Sequence, residues 1–315
     1  MATHHLICPL SNPGRILLRV VCYLFLSLLF ASISLAETTT PDPATPSDLT
    51  LGITYGTGSG KPLLLDLAQS PSPAKQPRPA VVFIHGGAWS GADRTNGHPL
   101  IRLLAANGFV AVSIDYRLSG QAAFPAQLED CKCAVRFLRA HAQQYHLDPK
   151  RIGVAGGSAG GHLAALVGLT PRTAGLEGNG GWDDISSQVA AVADLYGISD
   201  MAALFDEKTL VDAAKKLMRT TPQENPERYR QASPLALVNA SAPPFYLAHG
   251  DRDTTVPFSH SQKLADALKA QRVEASLRVM TGQGHESIAT LPNYVKDDLV
   301  AFFTKQLGPV EAPHR

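Results

Sequence analysis

Arg151-Ile152-Gly153-Val154-Ala155-Gly156-Gly157-Ser158-Ala159-Gly160-Gly161-His162-Leu163-Ala164-Ala165-Leu166-Val167 is the stretch on which the fold turns. An apolar run of strand character reaches a glycine-flanked serine, and an apolar run of helical character leaves it. Strand, G-x-S-x-G and helix in that order form a nucleophile elbow. The turn is so tight that residues two before and two after the serine crowd each other, and glycine relieves the crowding. The serine is then expected at the carboxyl end of a strand. It stands beside a helix N-terminus, whose amides favour a developing negative charge. A plain Gly-rich turn or a phosphate cradle would share the motif, so its meaning depends on what lies downstream.

A serine hydroxyl needs a base to take its proton, and the base needs an acid to orient it. After such an elbow the partners follow in the order acid, then histidine. Pro244-Phe245-Tyr246-Leu247-Ala248-His249-Gly250 reads as a buried strand running into Asp251-Arg252-Asp253-Thr254-Thr255-Val256-Pro257. Ala275-Ser276-Leu277-Arg278-Val279-Met280 reads as another, ending in Thr281-Gly282-Gln283-Gly284-His285. Both candidate partners therefore fall just past strand ends, where open α/β sheets place their sites. Asp251 and Asp253 compete for the acid, and His285 is the base.

Val81-Val82-Phe83-Ile84 is continuously apolar, as expected of a strand buried on both faces, and it ends in His85-Gly86-Gly87-Ala88-Trp89. Acyl transfer passes through an oxyanion that needs preset N–H donors. Gly86 and Gly87 supply candidates on one side and Ala159, next to the serine, on the other. The choice among Gly86, Gly87 and Ala88 stays open. His85 is read as structural.

H-G-G-A-W, D-Y-R at Asp115–Arg117, G-G-S-A-G-G, H-G-D-R-D-T-T-V-P and G-Q-G-H together resemble the α/β-hydrolase esterases and lipases. Within them the chain is most similar to the bacterial feruloyl-esterase-like (BD-FAE-like) branch, over roughly residues 50–306. The resemblance implies a mostly parallel sheet with helices on both faces and a small cap. It also implies Ser158, Asp253 and His285 as catalytic residues, with Asp253 the fifth residue of H-G-x-x-D-x-x-V-P and Asp251 a turn cap. H-G-G-x-W is similar as well to the kynurenine formamidases. One departure is that the H-G-G-G of the hormone-sensitive-lipase group reads H-G-G-A here, which loosens any transfer of that group's substrates. Short-chain or aromatic esters are the expected substrates, small or polymer-linked. Amide, formamide or peptide cleavage is the alternative with the same machinery, and a binding module on an inactive hydrolase fold is a second. No metal or organic cofactor is expected.

Composition agrees. Hydrophobic residues make up 44% of the 315 and charged ones 17%, which describes a globular chain with ample core. A net charge of +1 offers no attraction for nucleic acid or an anionic membrane. Arg15 and Arg19 precede the apolar run Val20–Phe30, and Ser34-Leu35-Ala36 follows. This is a secretory signal over 1–36 with cleavage expected after Ala36, giving a secreted or periplasmic protein; an uncleaved anchor is the rival reading. Cys131 and Cys133 then remain. Two apart on a helix, they point to different sides and are read as buried thiols, not a disulfide or a metal site.

A Thr/Pro-rich linker is expected over 37–50, then a catalytic domain over 51–308 of alternating strands and helices. Ile53–Tyr55 and Leu63–Leu67 flank Gly58-Ser59-Gly60-Lys61 as an edge hairpin. Pro62 spoils that turn as a phosphate loop. A helix is expected near Pro99–Asn107, another from about Pro125 to Tyr145, and a strand over Val189–Val192. Two insertions, 170–187 and a helical cap at about 201–233, are expected to shape the pocket. Trp89, Tyr116 and Trp182 are the candidate substrate walls, with Phe124 and Tyr196 as further aromatic candidates.

Overall fold

The computed structural model describes residues 49–71 and 74–310. The expected signal segment and nearly all of the linker lie outside them. Eight strands form one sheet among the described residues: β1 Leu49–Gly58, β2 Lys61–Ala68, β3 Arg78–Ile84, β4 Val110–Ile114, β5 Leu147–Gly157, β6 Ala191–Leu195, β7 Phe245–Gly250 and β8 Ala275–Met280. Their order is β1-β2-β4-β3-β5-β6-β7-β8. The β1–β2 and β2–β4 pairs are antiparallel and all later pairs parallel. The hairpin at one edge and the parallel remainder agree with the α/β-hydrolase expectation.

Burial follows from position in the sheet. Strands β4, β6 and β7 are buried at every residue, as strands covered on both faces must be. Edge strand β8 instead alternates between exposed and half-buried along most of its length. Helices α1 His98–Ala106 and α9 Asn293–Leu307 cover one face, closing over Phe83, Ala155 and Ala193. On the other face, α2 Ala126–Ala140, α3 Ala159–Leu169 and α8 Ser259–Ala270 close over Val82, Val154 and Val192. Alternate residues of each strand thus feed opposite cores, the period-two rule of a pleated sheet.

Strand β6 starts two residues later than expected and runs through Asp194 to Leu195. A fully buried carboxylate in the middle of an interior strand hides the strand's continuation from an apolar-run reading. Helix α2 ends at Ala140, five residues before Tyr145, where His141 accepts the C-cap position. Short helices α4 Ala203–Asp206, α5 Val211–Met218 and α6 Pro226–Gln231 fill the segment expected to be the cap, and α7 Pro234–Leu237 follows it. Cys131 and Cys133 are both buried and unpaired. Among the described residues no helix is long and apolar enough to cross a membrane.

Candidate active site

The elbow forms as the glycines dictate. Ser158 sits between β5 and α3 with φ 56° and ψ −121°, a backbone region that costs a non-glycine residue of order 1–3 kcal/mol. A Cβ on Gly156 would run into the Gly160 carbonyl, and one on Gly160 into that of Ile84. Ser158 N donates to Leu195 O at 2.9 Å, pinning the turn to the end of β6.

The three residues expected to act together are brought together. His285 Nε2 lies 2.9 Å from Ser158 Oγ. His285 Nδ1 lies 2.6 Å from Asp253 Oδ2. The other carboxylate oxygen accepts the amides of Thr255 at 2.8 Å and Val256 at 2.9 Å. Burial alone would push the Asp253 carboxyl up, but hydrogen bonds from His249, His285 and the Val256 amide outweigh it and hold it well below the ordinary range. The acid therefore stays ionised and accepts from the Nδ1–H of His285, leaving Nε2 free to take the serine proton. Asp251 occupies the other place foreseen for it: its Oδ1 accepts the Gly282 amide at 2.6 Å, joining the acid loop to the histidine loop.

The Gly86 turn lies against the elbow, where a Cβ on Gly86 would be 2.9 Å from Gly157 O and 3.3 Å from Ser158 Cβ. Among the described residues, the amides of Gly86, Gly87 and Ala159 donate to no other group of the protein. Convergent unspent donors beside a nucleophile suit an oxyanion. His85 is structural: it stacks on Tyr116 with centroids 4.3 Å apart, and burial keeps its ring below the usual imidazole value.

The expected aromatic walls fare differently. Trp89 is fully buried, not an open wall. Its indole N–H donates to His162 Nδ1 at 3.1 Å, and His162 Nε2 donates to Ala232 O at 2.7 Å. That acceptor on one nitrogen and donor on the other fix a neutral ring, and burial lowers its pKa to about 4. Tyr116 is also nearly buried, and its hydroxyl donates to His85 O at 3.1 Å. It borders a groove of about 440 Å³ that also meets Lys61, Asp115, Arg117 and Gln121. Trp182 stands elsewhere: it packs on Phe137 of α2 and on His141, the residue capping that helix, and donates to Tyr55 O on β1. Strand β1 is four strands from β5, roughly 19 Å at ordinary strand spacing. The 170–187 insertion shares that address, since Gly180 O accepts the Thr57 amide. None of its residues borders the groove beside Tyr116.

Tyr196, expected as an aromatic wall, is instead buried against the base, and His249 escaped a functional reading altogether. Tyr196, with φ 45°, lays its ring edge-on to His285 with centroids 5.1 Å apart, and burial pushes its phenol well up. His249 approaches Asp253 Oδ2 at 3.2 Å. Its position four residues before the acid in H-G-x-x-D was the available signal. No cluster of metal-ligating side chains occurs among the described residues.

Comparison with known proteins points one way. The BD-FAE family model matches residues 65–268. Esterase LipQ of Mycobacterium tuberculosis (strain ATCC 25618 / H37Rv) is 34% identical over 248 residues, 78% of this chain and 56% of LipQ. Esterase LipC of the same strain is 33% identical over 70% of this chain and 56% of LipC. The chain thus spans about half the length of the curated relatives it matches. A solved truncated form of a carbohydrate esterase from gut microbiota is 29% identical, with TM-score 0.75, covering 85% of this chain and 99% of that one. A thermophilic esterase from the Planctomycetes species Thermogutta terrifontis is 25% identical, with TM-score 0.70, covering 86% and 96%.

Proposed function

The chain belongs to the BD-FAE family of the α/β-hydrolase fold, and on that premise we propose that it is a serine carboxylic ester hydrolase. One observation carries the reading: the unbroken hydrogen-bond chain Ser158–His285–Asp253, at 2.9 and 2.6 Å, mounted on a strained elbow. Ser158 Oγ attacks the ester carbonyl while His285 Nε2 takes its proton. Asp253 holds the imidazole in the tautomer this requires and stabilises the imidazolium that forms. Negative charge on the former carbonyl oxygen is met by the amides of Ala159 and the Gly86–Gly87 turn. The tetrahedral species collapses, the alcohol leaves with the proton from His285, and an acyl group remains on Ser158. Water then repeats the sequence with His285 as base and releases the carboxylic acid.

The substrates proposed are short-chain or aromatic esters of the acetyl or feruloyl type. The groove beside Tyr116, which has both signs of charge on its walls and reaches His85 next to the oxyanion turn, is the seat proposed for a polar alcohol portion, small or polymer-linked. Export through the N-terminal signal, to the periplasm or beyond, belongs to the same proposal. The test is hydrolysis of p-nitrophenyl esters from acetyl to long acyl chains, with methyl ferulate alongside. Ser158→Ala is expected to lower turnover by roughly three orders of magnitude or more with unchanged folding. Turnover in that variant close to the unsubstituted enzyme would sink the mechanism.

A further inference from the structure

We infer that His249 is a positioning residue for the catalytic acid, holding the Asp253 carboxylate so that one oxygen meets His285. The inference rests on the Ser158–His285–Asp253 reading above. His249 is fully buried near the end of β7. Its Nε2 faces two oxygens that can only accept, so this nitrogen carries a hydrogen; it donates to Val256 O at 2.8 Å and lies 3.2 Å from Asp253 Oδ2. Its Nδ1 lies 2.7 Å from Ser261 Oγ on α8, and Phe258 closes over the ring edge-on. The ring has no freedom to turn.

The contacts of Asp253 divide unequally. Oδ1 accepts two amides, Thr255 and Val256, that belong to the same loop as the acid and would travel with it. Oδ2 accepts from His285 at 2.6 Å and has the His249 Nε2, whose hydrogen is directed to Val256 O, in close contact at 3.2 Å. Apart from His285 itself, His249 is therefore the side chain that ties the carboxylate to the sheet carrying Ser158. The Asp253 side chain is wholly shielded from solvent, so water has no ready access to replace a lost donor there. Removing the His249 N–H leaves more negative charge directed at His285, favouring its protonated form. The titratable groups around the pair are His249 on β7, Tyr196 after β6, Glu286 beside His285, and Asp194 on β6 and His260 on α8, which both act through His249.

The test compares His249→Leu, His249→Gln and Ser261→Ala with the unsubstituted enzyme and with Ser158→Ala. The readouts are kcat and KM for p-nitrophenyl acetate across pH and the low-field proton spectrum, which reads the Asp253–His285 hydrogen bond without substrate. His249→Leu is expected to lower kcat about 10- to 100-fold with little change in KM. The acid limb of its pH profile should move up by about one unit. His249→Gln, which restores a donor near the Nε2 position, should recover most of both; Ser261→Ala should shift both slightly in the same direction as Leu. Folded Leu and Gln variants equally impaired with the acid limb unmoved would reduce His249 to packing and overturn the inference, as would normal kinetics in His249→Leu. If the Leu variant does not fold, a Ser261→Ala enzyme with its acid limb and low-field resonance both unmoved overturns it instead. Turnover retained in Ser158→Ala would strike the parent reading; turnover lost there but untouched in the His249 variants strikes this one alone.

Discussion

The two insertions after α3 look alike as sequence, both long, mixed in charge and dotted with aromatics, yet they are fastened in opposite ways and to opposite places. The first, 170–187, is held by buried charge. Lys132 and Arg136 on α2 are almost wholly shielded, and both reach Glu177, at 2.7 and 2.8 Å. Lys132 also donates to Thr170 O, and Arg136 to the Gly181 carbonyl. The second, 201–233, is held by apolar packing of Leu204, Leu217, Met218 and Tyr229. Besides the Glu207–His260 ion pair to α8 and the bonds to Phe124, two of its polar ties run to the turns of the site. Ala232 O meets His162 on the elbow helix, and Arg219 donates to Ser119 O, whose own amide donates to Trp89 O. Length and aromatic content do not mark a lid; what an insertion is tied to does.

The comparison breaks most visibly at Glu177. Glu177→Ala strands two buried cations, and a buried pair broken on one side costs about 3–5 kcal/mol. We expect urea unfolding to show that loss while kcat/KM of the folded protein stays at the unsubstituted level. A parallel loss of kcat/KM would mean that the first insertion serves the site after all.

Next comes His162. Its folded pKa of about 4 lies below the ordinary 6.5 because burial disfavours the cation. As pH falls the unfolded chain takes up the proton first, so the stability contribution is complete above 6.5 and is lost through 4. The loss is on the order of 3 kcal/mol. His162→Gln keeps a donor for Ala232 and does not titrate, so chemical denaturation at pH 7 and 4.5 should show a smaller difference than in the unsubstituted protein. Equal differences would place the acid sensitivity elsewhere.

The smallest effect sharpens the contrast. Arg219→Ala removes one cap hydrogen bond, at about 1 kcal/mol of stability, but it loosens Ser119 and through it the Trp89 turn. Here kcat/KM for the acetyl ester should fall further than stability does, and an unchanged kcat/KM would detach the cap from the site.

Much of this was legible in advance for one physical reason. A parallel sheet buried on both faces writes its strands as apolar runs, and chemistry at strand ends writes itself as punctuation after those runs. Ser158 and Asp253 each follow such a run, and His285 follows the edge strand β8, where Ser276 and Arg278 interleave with Leu277 and Val279. The misreadings came where side chains break that grammar. Asp194 sits inside β6 with Oδ2 unpartnered, pushed up to about 6 by burial, and so disguised half a strand. Trp89 reads as a pocket wall, but its indole N–H is spent on His162. Trp182 follows a glycine-rich loop that could have gone either way along the sheet. A buried ion cluster such as Lys132–Glu177–Arg136 is unreadable from one chain, because Glu177 lies 45 and 41 residues from its two cations and each member alone looks like solvated charge.

Ser158 and His285 are 127 residues apart in the chain, and the strands between them pair in parallel, each needing a crossover to close. Such long-range pairings are the slow ones, because loop-closure entropy is lost before contacts reward it. No hairpin or local fragment can hold this site. During refolding, ester turnover should therefore return only after β5 through β8 are in register, behind the recovery of helical signal, which makes catalysis itself the clock for the last step of assembly.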